Sequence, residues 1–405
     1  MSIQVHFNNV NLSVISLPRS KLWIFANAIV QLLYNAIGDE NNHRDSSASS
    51  EDGTDSEHFA EDYDSDGDEH DPASPFAKPS TESNESTRKS VDNSSKPQSE
   101  LSTSTSHDDK EETNYFFHVA LTPSECTIIC STSLSNKFFN QPLRICQELG
   151  YSDVEKLPEE YLSLIVDSDG GFAKSHRILE LTKPLSENNV ALFYISSHFN
   201  DVVLIPSHLK QRVEQILVSE HFIFSESSSS YISTYDVDDK KESVLSDSHE
   251  KTFELLAKED IHPQVHEKHK VLLTGARPGE IRYCILKTIK LISLATPSQP
   301  SYFAITRTFS NELSLILPKS HKLRSKYGYK STSTIGSFQD VLVPIAMDLS
   351  KLPINCTGIV AGLANKLITK GGNLLEIAYL SMAKSGVILI PEEDLDLVRT
   401  GLNEL

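Results

Sequence analysis

The chain carries one structural plan twice, and this limits its folds more than any other feature. Tyr115-Phe116, Glu125 and Ile128-Ile129 align without a gap on Tyr302-Phe303, Glu312 and Leu315-Ile316, 187 residues further on. Tyr194, Ser196, Leu204 and Pro206 align on Tyr379, Ser381, Leu389 and Pro391, 185 residues further on. Two separate segments at nearly one spacing indicate an internal duplication. A duplicated small fold buries its copies against each other, and the groove between them is the default place for a ligand.

The duplication also locates an insertion. Ser20 to Tyr34 resembles Gly279 to Ser293 at a spacing of 259, so the spacing changes between this helix and the next strand. The second copy bridges that gap with Leu294 to Ser301, the first with Asn35 to Asn114. Asp39 to Glu112 holds 22 acidic and 6 basic residues against a net charge of −19 for the whole chain, so the acidity belongs to one segment. Such a Ser-, Asp- and Glu-rich stretch cannot bury enough apolar surface to offset its ordering entropy, which predicts disorder over 38–113. Loop-closure entropy grows only logarithmically, so the fold tolerates the length. Ser49, Thr54 and Ser65 each precede an acid by three residues, and Ser74 precedes Pro75. These contexts suit acid-directed and proline-directed kinases; an unselected solvated loop accounts for them equally simply. A basic partner surface would suit the segment, but no residue specifies one.

Removing that stretch from 405 residues leaves about 330 that can fold, enough for two ordinary domains. No apolar run approaches the roughly 20 residues of a membrane span. Met1-Ser2-Ile3-Gln4 lacks the basic and apolar regions of a signal peptide. Cys126, Cys130, Cys146, Cys284 and Cys356 are odd in number and scattered, which fits a reducing compartment. The expected location is the cytoplasm, with the nucleus as the alternative. Outside the insertion there is no basic bias, so nucleic-acid binding has no electrostatic footprint.

Hydrophobic periodicity gives the elements. Gln4 to Ile15 alternates with a phase change at Asn8-Asn9, read as two strands around a turn. Arg19 to Tyr34 places Leu22, Phe25, Ala26, Ile29, Val30 and Leu33 on one helical face. Tyr115 to Ala120 and Cys126 to Cys130 read as a hairpin, and Gln141 to Leu149 as a short helix ended by Gly150. A second unit follows, with a strand at 161–167, a helix at 172–188, a hairpin at 190–205 and a helix from Pro206. Ser225 to His269 reads as a polar linker with one helix near Lys251 to Lys258. The second half repeats the scheme: a strand at 271–273, a helix at 279–293 and a hairpin at 302–317. A strand at 338–347, a helix at 358–368, a hairpin at 374–390 and a helix from Pro391 complete it. Four β-α-β-β-α units make an α+β chain of repeated ferredoxin-like form. The expected boundaries are 1–160, 161–225, linker 226–269, 270–335 and 336–405.

Catalytic signals are sparse. There is no phosphate-binding G-x-x-x-x-G-K-[ST], no G-x-G-x-x-G and no G-x-S-x-G. Gly275-Ala276-Arg277-Pro278-Gly279 invites a phosphate reading; a tight turn punctuated by Gly and Pro explains it more simply. His262, His266 and His269 cluster in the linker, without the further ligands and folded frame a metal needs. Cys126 and Cys130 share one face of a strand and read as small core residues. No catalytic residue, metal site or cofactor is expected.

The order of several segments resembles a known family. They are Val14-Ile15-Ser16 with Leu22-Trp23, Tyr115-Phe116-Phe117 with Leu121-Thr122-Pro123, and Leu192 to Ser197 with Asp201 and Leu204-Ile205. Thr357-Gly358-Ile359-Val360-Ala361 is the last. Together they are similar to the CASTOR family of cytosolic arginine sensors, which are tandem ACT-domain proteins with ferredoxin-like units. The resemblance spans nearly the whole chain apart from the insertion and linker. It implies a non-enzymatic amino-acid sensor acting on the TOR kinase complex through a GATOR-type complex. It also implies a ligand between the second and fourth units, on Thr357, Gly358, Ile359 and Val360. The opposite wall would comprise Asn189, Ala191 and Leu192, with Met382, Ala383 and Gly386. The physical reading agrees, because a helix start offers free N–H groups to a carboxylate and Gly358 permits close approach. An ordinary helix-start glycine is the plainer alternative.

The family's sensors hold the arginine side chain with acidic residues; the matching positions here are Cys356 and Gly386, both uncharged. A buried guanidinium without a carboxylate is costly, so the expected ligand is a smaller or apolar amino acid rather than arginine. The family's partner surface matches His198, Phe199 and Asp201, where Phe199 could anchor a partner or fold back on its own sheet. Homodimerisation is left open. The rival readings are a scaffold with a vestigial pocket and a regulatory subunit of an amino-acid biosynthetic enzyme. An enzyme in its own right lacks a convergent acid, base and nucleophile.

Overall fold

The structure is a computed structural model that describes residues 4–44, 115–167, 174–224, 247–371 and 375–402. The expected disorder of 38–113 lies outside the described residues, except that 38–44 continue the first helix. The first run of elements is β1 (Gln4–Pro18), α1 (Leu22–Arg44), β2 (Phe117–Leu121), β3 (Glu125–Ser131) and α2 (Thr132–Glu148). The second is β4 (Tyr161–Asp167), α3 (Lys174–Glu187), β5 (Phe193–Ile195), β6 (Asp201–Pro206) and α4 (Lys210–Ser219). After α5 (Asp247–Lys258) comes the third: β7 (Val271–Ala276), α6 (Ile281–Ile292), β8 (Phe303–Arg307), β9 (Leu313–Pro318) and α7 (His321–Tyr327). The fourth is β10 (Leu342–Asp348), α8 (Ile359–Gly371), β11 (Ala378–Ser381), β12 (Ser385–Pro391) and α9 (Leu395–Leu402).

Twelve of the sixteen strands among the described residues run in the order β7-β9-β8-β2-β3-β1-β4-β6-β5-β11-β12-β10, and β10 meets β7 again where Leu342 faces Val271. The sheet therefore closes on itself. One side, β7 to β1, comes from the first and third runs; the other, β4 to β10, from the second and fourth. Three apolar layers result. Leu22, Phe25, Val119, Ile128, Ile285 and Ile305 fill the space between the first side and α1, α2 and α6. Leu164, Ile178, Leu181, Val203, Leu363 and Ile388 do the same between the second side and its helices. Val14, Phe116, Ile129, Ile195, Leu204 and Leu380 pack the two sides together. All of β3 is buried because both of its faces are covered.

The seams between runs use the duplicated residues. β2 lies antiparallel to β8, with Leu121 opposite Phe303 and Phe117 opposite Arg307. β5 meets β11 through a reciprocal exchange. The Tyr194 N–H donates to Ser381 Oγ at 2.8 Å and the Tyr379 N–H to Ser196 Oγ at 3.0 Å. Equivalent residues of the two copies thus grip each other, as across a two-fold axis.

Two local readings are corrected. The phase change at Asn8-Asn9 is not a turn: β1 is one strand whose Gln4–Asn8 part pairs β4 and whose Leu12–Pro18 part pairs β3. The register shift between Asn8 and Leu12 is a bulge, which bends the strand from one side of the ring to the other. α2 begins at Thr132 rather than Gln141, capped by Ser131 Oγ accepting the Leu134 N–H at 3.3 Å, with Pro142 inside it. The helix expected near Lys251 to Lys258 is α5, and its Leu256 and the following Ile261 are buried against the second side's core.

Candidate functional site

A cavity of about 80 Å³ lies between α3 and the start of α8. One wall is Thr357, Gly358, Ile359 and Val360; another is Thr182, Ser186, Val190 and Leu192; the floor includes Tyr379, Ser381, Met382 and Ala383. Of the residues expected to bind ligand, seven line it: Leu192, Thr357, Gly358, Ile359, Val360, Met382 and Ala383. Asn189, Ala191 and Gly386 do not. Asn189 takes a φ of 54° in the exposed turn that ends α3. Gly386 makes room for Tyr379, whose hydroxyl would lie 2.3 Å from a Cβ there.

Gly358 has a φ of 86°, and a Cβ would meet Thr252 Oγ1 of α5 at 2.6 Å and Ser186 Oγ of α3 at 3.0 Å. Two helices therefore crowd the α8 start, and only glycine allows it. The first intrahelical acceptance in α8 is the Gly362 N–H on Gly358 O at 2.7 Å. The N–H groups of Ile359, Val360 and Ala361 thus lack intrahelical acceptors at the cavity wall. Ser186 is buried and its hydroxyl has no hydrogen-bond partner. No Asp, Glu, Lys, Arg or His is among the described residues lining the cavity. Cys356, at the rim, has its thiol pushed up by burial and stays neutral at pH 7. The site can therefore meet a carboxylate with helix N–H groups and a polar atom with Ser186, and leaves only neutral surface for a side chain.

Sequence reasoning did not find Ser186 or Thr182. Both sit mid-helix with no motif, and only the packing of α3 on α8 brings them to the cavity. The α5 contribution, Thr252, donates to Thr357 O at 3.3 Å and was equally hidden in the polar linker.

The residues expected to contact a partner sit elsewhere, in and beside the β5–β6 turn. Asp201 is 2 % exposed and pairs with Arg177 at 3.3 Å, so it offers no surface. Phe199 folds back on β7, where a Cβ on Gly275 would meet its ring at 2.5 Å. His198 packs edge-on against Phe199 and donates its N–H to Ser314 Oγ at 2.9 Å. The glycine that suggested a phosphate turn, Gly275, thus admits Phe199. His266 Nδ1 meets the Tyr302 hydroxyl at 2.6 Å, His262 meets Asp260 at 3.0 Å, and the described residues hold no metal-ligand cluster. Cys126 and Cys130 are buried against the helices, with the Cys130 thiol pushed up to about 12 by burial.

Residues 156–219 and 337–404 match the ACT domain, a small-molecule-binding regulatory module, and together they make up about a third of the chain. Those two segments enclose the cavity. No curated protein matches the chain significantly. Among solved structures, the aspartate kinase from Synechocystis is similar over 71% of this chain and 49% of its own, at 8% identity and a TM-score of 0.26. The chain thus spans about half the length of that kinase. The Agrobacterium tumefaciens protein Atu0741 is similar over 29% of this chain and 92% of its own, at 14% identity and a TM-score of 0.21. No helix of the described residues is long and apolar enough to cross a membrane. Two ACT-domain matches facing one another across a neutral, partly unsatisfied cavity are what the chain offers a ligand.

Proposed function

We propose that the chain is a non-enzymatic sensor that binds an amino acid with a small or apolar side chain between α3 and α8. The observation that carries this reading is the unpartnered Ser186 hydroxyl beside the open N–H groups of α8, in a cavity without charge. A buried hydroxyl left alone is costly, and a ligand's ammonium or carboxylate would satisfy it. The absence of a carboxylate argues against arginine. The first and third runs are read as diverged ACT units, since they share the element order and seam pattern of the matched segments. The onward link, to TOR signalling through a GATOR-type complex in the cytoplasm, rests on the CASTOR resemblance. Affinity purification with and without amino acids tests that link.

Thermal unfolding against each proteinogenic amino acid at millimolar concentration tests the ligand. A ligand that binds only the folded state raises Tm by mass action. The expected result is a rise with an aliphatic amino acid, none with arginine, and an affinity about 2- to 10-fold weaker in Ser186→Ala. A rise with arginine would overturn the ligand class. No rise with any amino acid would turn the assignment to a scaffold.

A further inference from the structure

The duplicated halves meet in two cross-contacts that correspond residue by residue and yet differ. In one, the Ala383 N–H donates to Thr127 Oγ1 at 3.1 Å and the Lys384 N–H to Glu125 Oε1 at 3.3 Å. In the other, the His198 N–H donates to Ser314 Oγ at 2.9 Å and the Asn200 amide to Glu312 Oε2 at 3.0 Å. Strand register fixes the correspondence, because Ser16 lies opposite Thr127 as Gly275 lies opposite Ser314. Hence Glu125, Ser16, Lys384 and Ser385 stand where the other junction has Glu312, Gly275, Phe199 and Asn200.

That other junction is plugged by its own chain. The Phe199 ring sits on Gly275, and the Asn200 carboxamide donates to the carboxylate. The junction at Glu125 has no plug. Lys384 turns away to Glu155, with 3.0 Å between Nζ and Oε1. A cavity of about 470 Å³ remains, lined by Ser16, Glu125, Lys384 and Ser385 with Leu17 and Met347. Ser16 is 1 % exposed and its hydroxyl has no partner. Ser385 is 7 % exposed and faces Glu125 without closing a hydrogen bond of ordinary geometry. Glu125 is 6 % exposed, and the bonds from Thr127 Oγ1, at 2.9 Å, and from Lys384 both fall on Oε1. Asp153 and Asp348 add two carboxylates to the wall, the first paired with Lys21.

We propose that this unplugged junction binds a small primary amine. Its ammonium takes the place of the Asn200 amide by donating to Glu125, and its compact apolar body lies against Leu17 and Met347 where the other copy holds Phe199. Thr127 and the Lys384 N–H both donate to Oε1, which leaves Oε2 for an ammonium, and three carboxylates against the one lysine on the wall, Lys384, favour a cation over a neutral donor of the same size. The site lies on the other side of the β11–β12 turn from the cavity between α3 and α8, with Ser385 lining both, and needs no ligand there.

The test uses isobutylamine as the probe and isobutanol as its uncharged counterpart on the full chain. Isobutylamine should shift the amide signals of Thr127, Lys384 and Ser385 saturably, and isobutanol at the same concentration should not. Ser16→Gly, Lys384→Phe and Ser385→Asn together import the plug of the other copy, which should raise Tm and abolish the response. Should that triple variant fail to fold, Glu125→Gln alone decides, with an expected loss of at least tenfold in apparent affinity. Ser186→Ala, in the other cavity, should keep the full response. The proposal is overturned if isobutylamine shifts nothing, if isobutanol matches it, or if the plugged and Glu125→Gln proteins respond like the parent.

Discussion

At Gly358 the chain combines a φ of 86° with side chains from two other helices pressed against its Cα. Gly358→Ala should therefore cost about 1–3 kcal/mol in urea unfolding, from backbone strain and displacement of Thr252 and Ser186. A loss under about 0.5 kcal/mol, the range of an ordinary surface change, would refute that account. The residue was legible as a helix-start glycine, but its crowding was not, because Thr252 and Ser186 lie 106 and 172 residues away. His118 is a second case. Its Nδ1 meets Thr306 Oγ1 at 2.8 Å, its Nε2 has no partner, and burial pushes its imidazole down to about 3. An unfolded histidine titrates near pH 6.5, so acidification lets the unfolded chain take a proton that the folded one refuses. Stability should fall between pH 6.5 and 3 by about 1.4 kcal/mol per pH unit from this group alone. His118→Gln should flatten that slope in urea midpoints at pH 7, 6 and 5; an unchanged slope would assign the acid sensitivity elsewhere.

Among elements, hairpins and helices were readable wherever periodicity was strong, and misread where one element serves two neighbours. β1 breaks phase at Asn8-Asn9 because its two parts belong to opposite sides of the ring. A sequence reader sees the break and supplies a turn. α2 hid its first two turns behind Pro142, which ordinarily marks a helix start. The Tyr-x-Ser repeat, by contrast, was visible as identity before its role was known; it is the reciprocal β5–β11 contact. The turn after β11 is held from behind by β3. Thr127→Val removes the acceptor of the Ala383 N–H and should cost about 1–2 kcal/mol. Amide exchange at Ala383 should then accelerate about tenfold, as a local opening loses that much protection. Exchange that is unchanged at Ala383 would show that the turn is held by other contacts.

For the whole molecule, the closed ring makes each half of the chain incomplete. Residues 1–225 leave β2 and β5 without the partners β8 and β11 that the second half supplies. Either half alone should self-associate through those exposed edges, and mixing the halves should give a one-to-one complex. A folded, monomeric half by size-exclusion chromatography and circular dichroism would count against this. The duplication was enough to foresee the halves, while the closure was not. It depends on pairings such as Leu342 with Val271, which carry no local signature. A ring of this kind, assembled from two separate identical chains, would be bound to symmetry: every substitution at one junction would recur at its mate. Tying the copies into one polypeptide lifts that obligation, so Phe199 can close one junction while Lys384, at the matching position, leaves the other open. Fusion here is a licence for two once-identical places to take up different occupations.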